Sequence, residues 1–434
     1  MRDIFHALVL NMHQPPSNLD DLLATNAWEA KEILFAYDRM PRMLWGYEDV
    51  ARVHLSLSGT LLETLSHPDF QKRVYGIVDC GTMLWFLQNQ RIFDILGTGY
   101  YHPVFALTPE ADWDEQIGRW QAIGRHIFWR SHFAGFWPPE MAFDERMIPH
   151  LKKAGYRYVF VDSEYVRPIE SMSWQELRYR PHICEYGGAE IVVVVRDREL
   201  SAAQLSGMDY GWFYHELHER TKFCDFPPLV TTATDGDNGG WFRNVNPKAN
   251  FWSYFYTAAL DDIRAGHSSL RPIFITEYLD RFGAHGRVRI ERGAWDTGDH
   301  HGWDFTQWQG GEAQRDTMAR VQEVSADFHR LAAAASRFKD TDPEVRRLLD
   351  TAHWHLLRAE TSCNFFWGDA WLYKTHKDLD AAAWHLGEAR PFLKEALVEA
   401  SVPAEEAVAP SLPPAETAGV ETTAGVDAKE PPPA

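Results

Sequence analysis

Apolar residues fall in short, nearly continuous runs over the first two-thirds of this chain. The segments HALVLN (6–11), RVHLSLS (52–58), YRYVFVDS (156–163), EIVVVVRD (190–197), LVTTATD (229–235) and PIFITEY (272–278) are rich in Val, Ile, Thr and Tyr and read as buried strands. Between several of them lie amphipathic stretches such as WDEQIGRWQAIGRHIFWR (113–130) and DERMIPHLKKAGY (144–156), which read as helices. Continuous apolar strands separated by helices predict a parallel sheet covered on both faces, either a β/α barrel or a doubly wound sheet.

From about Gln314 the period changes. VQEVSADFHRLAAAASRF, PEVRRLLDTAHWHLLRAE and DLDAAAWHLGEARPFLKEALVEA carry the 3.6-residue apolar spacing of helices. This predicts a barrel or sheet domain over 1–313 and a C-terminal helical subdomain over 314–400. Residues 401–434 are rich in Pro, Ala, Glu, Thr and Val without an aromatic residue, a composition that predicts a disordered acidic tail.

Polar residues gather just after the strand runs: His13 and Gln14, Asp162 and Glu164, Arg196 and Asp197, Asp235 and Asp237, and Glu277. In a parallel barrel the C-terminal strand ends carry the chemistry. His13 and Gln14, followed by Pro15 and Pro16, therefore sit where such a fold presents functional groups.

Composition narrows the possibilities. The 434 residues carry a formal net charge of −19, and no basic cluster points to nucleic acid or an anionic membrane. Four separated cysteines make no Cys-x-x-Cys pair, so neither a disulfide framework nor a zinc ribbon is expected. The N-terminal apolar run is too short for a signal peptide and no stretch is long enough to span a bilayer, which makes the cytoplasm the expected location. Aromatic residues make up 14%, including 18 tryptophans, many beside Gly, Pro or charges in GFWPPE, NGGWFR, GAWDTGDHHGW and FFWGDAW. Flat rings with a polar edge in loops suit a cleft for hydroxylated ring-shaped ligands.

Two segments carry candidate acids. In GFWPPEMAFDERMI, Glu140 follows a rigid Trp-Pro-Pro elbow, and in TTATDGDNGGWFRN a Thr-rich strand ends at Asp235 before a glycine-rich loop. A helix-start acid and an ordinary Asp-Gly turn are the plain alternatives. Calcium is disfavoured because the loop lacks EF-hand ligand spacing. Two carboxylates on different strand ends are what glycoside cleavage asks for, one acting on the anomeric carbon and one protonating the leaving oxygen. HELH at 215–218 has its histidines three apart, not the four of a zinc-protease helix, and His300 and His301 in WDTGDHHGWD read as part of a cleft wall.

At this point the chain resembles glycoside hydrolase family 57, through five short blocks in the family's order. MHQP carries His13, GYYHPVFAL carries His102, GFWPPEMAF carries Glu140, TATDGDNGGW carries Asp235, and AETSCNFFWG matches less closely. The resemblance implies a (β/α)7-type barrel with a C-terminal helical region and a retaining hydrolase or transglycosylase acting on α-glucans through a covalent glucosyl-enzyme intermediate. Glu140 falls on the family's nucleophile and Asp235 on its general acid/base. His13, Gln14, His102, Trp137, Arg196, Asp237, Trp241, Trp295, Trp303, Asn364 and Trp367 are the candidate substrate-binding residues, with Trp295 and Trp303 of the Trp-rich loop read as stacking platforms. Asn364 departs from the pattern, standing where many relatives have an Asp. No metal or other cofactor is expected. Two rival readings remain: a catalytically silent α-glucan-binding or regulatory protein on the same barrel, and a metal-dependent hydrolase with His13 and His102 as ligands.

Overall fold

The computed structural model describes residues 3–397, apart from 247, 296–304, 339–341 and 395. Seven parallel strands, taken in chain order, form the barrel: β1 (Ile4–Met12), β2 (Val53–Leu57), β3 (Phe93–Leu96), β4 (Gly135–Phe136), β5 (Tyr158–Asp162), β6 (Ala189–Arg196) and β7 (Leu229–Asp235). Their spatial order is β3-β2-β1-β7-β6-β5-β4. Gly97, just beyond β3, bridges in parallel to Phe136 of β4, so the sheet curls into a nearly closed barrel. A Cβ on Gly97 would overlap the ring and hydroxyl of Tyr156, so glycine is needed where the two edges meet.

Side-chain alternation sorts each strand between lumen and outer helices. Phe5, Ala7 and Val9 of β1 belong to one core cluster with Tyr158, Phe160, Val194, Leu229 and Ala233, while Leu8, Leu10 and Met12 pack in another with the surrounding helices. Continuing the inward columns upward by two residues reaches Asn11, Asp162, Arg196 and Asp235. The strand period therefore converts the end of an apolar column into a ring of polar groups at the barrel mouth.

The run PIFITEY is not a barrel strand. A short strand, Leu270–Pro272, pairs with the start of β1, and Ile275–Phe282 is a helix. Ile275, Tyr278 and Phe282 share one helical face, and Tyr278 and Phe282 pack on Phe5 with ring centroids 5.8 and 5.2 Å apart. Glu277 consequently lies at the opposite end of the barrel from the polar ring, 3.6 Å from Arg52 just before β2. Strands β3 and β4 leave no mark in the hydrophobic pattern, because four and two residues are too few to show a period.

Among the helices, α1 (Ala27–Leu44) and α2 (Glu110–Phe128) flank the barrel. Three long ones follow it: α3 (Glu312–Ala335), α4 (Pro343–Ala359) and α5 (Leu372–Ala389). They join the barrel through a buried polar knot. Asp112 of α2 accepts from Ser325 Oγ (2.6 Å) and pairs with His329 Nε2 (2.7 Å) of α3, and Gln116 donates to Glu360 Oε2 (2.7 Å) at the end of α4. Burial beside Asp112 pushes the Glu360 carboxyl well above the usual range. No described helix is long and apolar enough to cross a membrane. The predicted tail and the Asp299–His300–His301–Trp303 segment lie outside the described residues.

Candidate active site

Glu140 sits in a tight turn, Pro139–Met141, directly after β4. Its φ of 60° is left-handed, as is that of Met141 at 50°, and non-glycine residues are held there only by their surroundings. The restraints are visible. Pro138 and Pro139 stiffen the approach, and the backbone carbonyl of Glu140 accepts from the Trp295 N–H (3.0 Å). The carboxylate is buried, and both of its oxygens are engaged. Ser362 Oγ donates to Oε1 at 2.7 Å, and the Trp295 indole donates to Oε2 at 3.0 Å.

His102 Nδ1 lies 3.0 Å from Ser362 Oγ and 3.5 Å from Glu140 Oε1. The hydroxyl has one proton, which it gives to the carboxylate, so Nδ1 must carry a proton and donate to Oγ. That leaves His102 Nε2 as an acceptor. The ring stacks on His13 with centroids 4.0 Å apart and planes at 9°. Nε2 of His102 and both ring nitrogens of His13 have no hydrogen-bond partner among the described residues. Burial pushes the His13 imidazolium down to about 3 and that of His102 well below its usual value, so both rings are neutral at ordinary pH.

Asp235, at the top of β7, is only partly covered. Asn11 Nδ2 donates to Oδ1 at 3.0 Å, and Asn238 Nδ2 lies 3.4 Å from Oδ2. Burial, then the negative charges of Asp237 and Glu140, push its carboxyl up to about 8. Asp237 itself is buried; Tyr37 donates a short hydrogen bond to its Oδ2, and Gln14 Nε2 approaches at 3.5 Å. Burial raises Asp237 to about 6, against the opposing pull of Tyr37 and Arg243. These surroundings let Asp235 hold a proton at neutral pH.

The other predicted residues occupy varied places. Arg196 is buried, with Nη1 2.6 Å from Asp162 Oδ2 and Nε donating to the Ala233 carbonyl at 2.8 Å. Its guanidinium also lies 5.7 Å from the Trp295 ring, so it supports that indole from below. Trp295 is itself buried and edge-on to the fully buried Trp137 at 5.3 Å. Trp241 packs with Phe251 and Phe255 and abuts Gly207. Asn364 turns its amide to Thr375 Oγ1 (3.0 Å) of α5, whereas the neighbouring Cys363 feels the charges of Glu140, Asp235 and Asp237. Trp367 is exposed near Trp371. Among the described residues, no three His, Cys, Asp or Glu side chains are grouped as a metal site.

Ser362, Tyr37 and Asn11 are further members of the site, which the motifs do not reveal. Ser362 lies inside the least distinctive block, and Tyr37 lies within a helix as one more buried aromatic. Asn11 carries a visible signal, since it stands two residues above Val9 on the inward column.

Comparison with known proteins identifies the family. The family model for Glycosyl hydrolase family 57 matches residues 25–291, and the chain belongs to that family. It is 27% identical over 297 residues to an alpha-amylase of Pyrococcus furiosus, covering 65% of this chain and 40% of that protein. It is likewise 27% identical over 295 residues to a 4-alpha-glucanotransferase of Thermococcus litoralis, covering 65% and 39%. The chain thus spans about two-fifths of the length of these relatives. Among solved structures, a branching enzyme of this family from Pyrococcus horikoshii superposes with a TM-score of 0.66 at 16% identity, over 92% of this chain and 94% of that one. An exo-type maltose-forming amylase from Pyrococcus sp. ST04 gives 0.68 at 12% identity, over 91% and 82%. These two superpositions show a shared fold.

Proposed function

We propose that this protein is a retaining glycoside hydrolase or transglycosylase acting on α-glucans, with Glu140 as nucleophile and Asp235 as general acid/base. The observation that carries this reading is the contrast between the two carboxylates. Glu140 is locked by the Trp295 and Ser362 donors on a strained turn, while Asp235 is held protonated near neutrality by burial and by Asp237. A held carboxylate beside a carboxyl that keeps its proton suits the roles of nucleophile and proton donor.

In the first step a Glu140 oxygen bonds to the anomeric carbon as the glycosidic C–O bond breaks, and Asp235 gives its proton to the departing oxygen. In the second, Asp235 takes a proton from water or a glucan hydroxyl. That oxygen bonds to the anomeric carbon and releases Glu140. Asp237 keeps Asp235 protonated for the first step. The neutral, stacked His13 and His102 present ring nitrogens to sugar hydroxyls, with Gln14 fixing the Asp237 side of the site. The names of the alpha-amylase and 4-alpha-glucanotransferase relatives support an α-glucan as substrate, and a water or sugar acceptor separates the two outcomes.

Product analysis after incubation with amylose, glycogen and short maltooligosaccharides tests the proposal. New reducing ends, or redistributed chain lengths, are expected. Binding of these glucans without any turnover would replace it with the silent-binder reading.

A further inference from the structure

A cavity of about 590 Å³ lies on the rim of the barrel, where the loops and helices following β1–β3 meet α4. Thr60, Glu63, Thr64 and His67 line it from one side, and Trp354 and Arg358 face them from α4. Neither Glu140, Asp235 nor Asp237 borders it. We propose that this groove is an auxiliary binding site for an α-glucan chain, separate from the catalytic pocket, with Trp354 as its stacking platform. The proposal rests on the reading of the catalytic site given above.

Both arginines of the groove are already paired within the protein. Asp20 pairs with Arg73, Arg358 lies 3.3 Å from Asp378, and Glu63 accepts from the Tyr100 hydroxyl at 3.1 Å. Such a surface holds both arginines in ion pairs rather than open to an anion, and its hydroxyls and carboxylates give donors and acceptors to a neutral, hydroxyl-dense ligand. The Arg358 guanidinium sits 4.3 Å from the centroid of the Trp354 ring, holding the indole in place, and the side chain remains 37% exposed. A preset aromatic face beside hydrogen-bonding groups is the chemistry that stacks pyranose rings.

Two continuities extend the platform. Towards the site, Pro16 and Ser17 border the groove three and four residues after His13, and Tyr101 borders it directly before His102. Pro16, Ser17 and Arg358 also edge a second cavity of about 280 Å³ that Asn364 and Tyr373 help to line. Away from the site, ring contacts link Trp354 to Trp384 through two half-buried histidines: Trp354 to His355 at 4.6 Å, His355 to His385 at 6.0 Å, and His385 to Trp384 at 4.6 Å. Trp384 is 59% exposed. A polymer stacked on Trp354 can therefore extend along α4 and α5.

The test uses the full chain and its Trp354→Ala variant. Retention by amylose in native affinity electrophoresis should weaken about five- to tenfold, the loss expected for one stacking contact. kcat/KM on amylose should fall similarly, while kcat/KM on a short aryl maltoside stays within about twofold, since the catalytic groups are untouched. Thr64→Trp, which fills the groove from the opposite wall, should reproduce the pattern and covers the case in which Trp354→Ala does not fold. Unchanged retention and unchanged polymer kinetics in either folded variant would overturn the proposal while leaving the catalytic reading intact. Amylose binding without turnover by the wild type, lost in Trp354→Ala, would keep the groove and remove the catalytic reading. Wild type that neither binds nor cleaves amylose would remove both.

Discussion

The hydroxyl of Ser362 reaches Glu140 Oε1 at 2.7 Å across 222 positions of sequence. The amide of Ser362 donates to the His102 carbonyl at 3.0 Å, and its neighbour Thr361 bridges to Pro103. A residue from beyond α4 thus completes a relay in which His102 donates to Ser362 and Ser362 to Glu140. Because α4 is anchored to α2 through Glu360 and Gln116, packing of the C-terminal helices governs the orientation of the Glu140 carboxylate.

Ser362→Ala should lower kcat on an α-glucan by about 10–100-fold, the worth of one hydrogen bond to a charged group. KM should change little, because the lost contact is to the proposed nucleophile and not to the sugar. Ser362→Thr keeps the hydroxyl and should recover much of the rate. A parallel rise in KM, or no recovery with Thr, would reduce Ser362 to packing.

The two acids should fail differently. Glu140→Ala removes the attacking group and should abolish turnover of natural and activated glucosides alike, with azide restoring an inverted product from an activated donor. Asp235→Ala keeps the nucleophile, so an aryl or fluoride glycoside should still react in the first step and azide should give a retained product. Identical profiles for the two variants would show that the roles are wrongly assigned.

Activity should fall as pH rises through about 8, where Asp235 loses the proton that its proposed role requires. Asp237→Asn removes a charge that raises Asp235, so the alkaline limb of kcat/KM should move to lower pH. A limb that stays in place would mean that another group sets it.

Stability should show the reverse side of the same shift. Asp235 holds its proton in the folded state up to about 8 but loses it near the ordinary 3.8 when unfolded, so its burial destabilises the protein increasingly as pH rises between those values. Asp235→Asn should therefore melt at higher temperature than wild type at about pH 7. The gain should vanish as pH falls to the ordinary carboxyl range. Equal melting temperatures at neutral pH would contradict the raised carboxyl.

Gly97→Ala tests the barrel closure. The added methyl meets the buried Tyr156 ring and hydroxyl, so the variant should lose about 1–3 kcal/mol by denaturant unfolding. Shortening Tyr156 to Ala in the same chain should remove this specific penalty, as a double-mutant cycle would show.

Sequence by itself determined what depends on local pattern. The strands with four or more consecutive buried residues, the three long helices between Glu312 and Ala389 and the strand-end position of Asp235 follow from side-chain periods that neighbouring residues share. The five blocks mark Glu140 and Asp235 as a pair of acids because residue type and order survive in a linear reading. Tertiary structure alone decided what depends on distant partners. PIFITEY contributes to a helix because helical spacing brings Tyr278 and Phe282 onto one face, where both rings pack on Phe5 from the start of the chain. Trp295 is a buried donor to Glu140 because an antiparallel ribbon, Val166–Pro168 with Val288–Ile290, carries its segment back over the β4 turn. Ser362 meets Glu140, and burial and the Glu140 charge raise Asp235, only once the barrel has closed. Hydrogen bonds and charges act through distance in space, and the chain's order does not contain that distance until packing sets it.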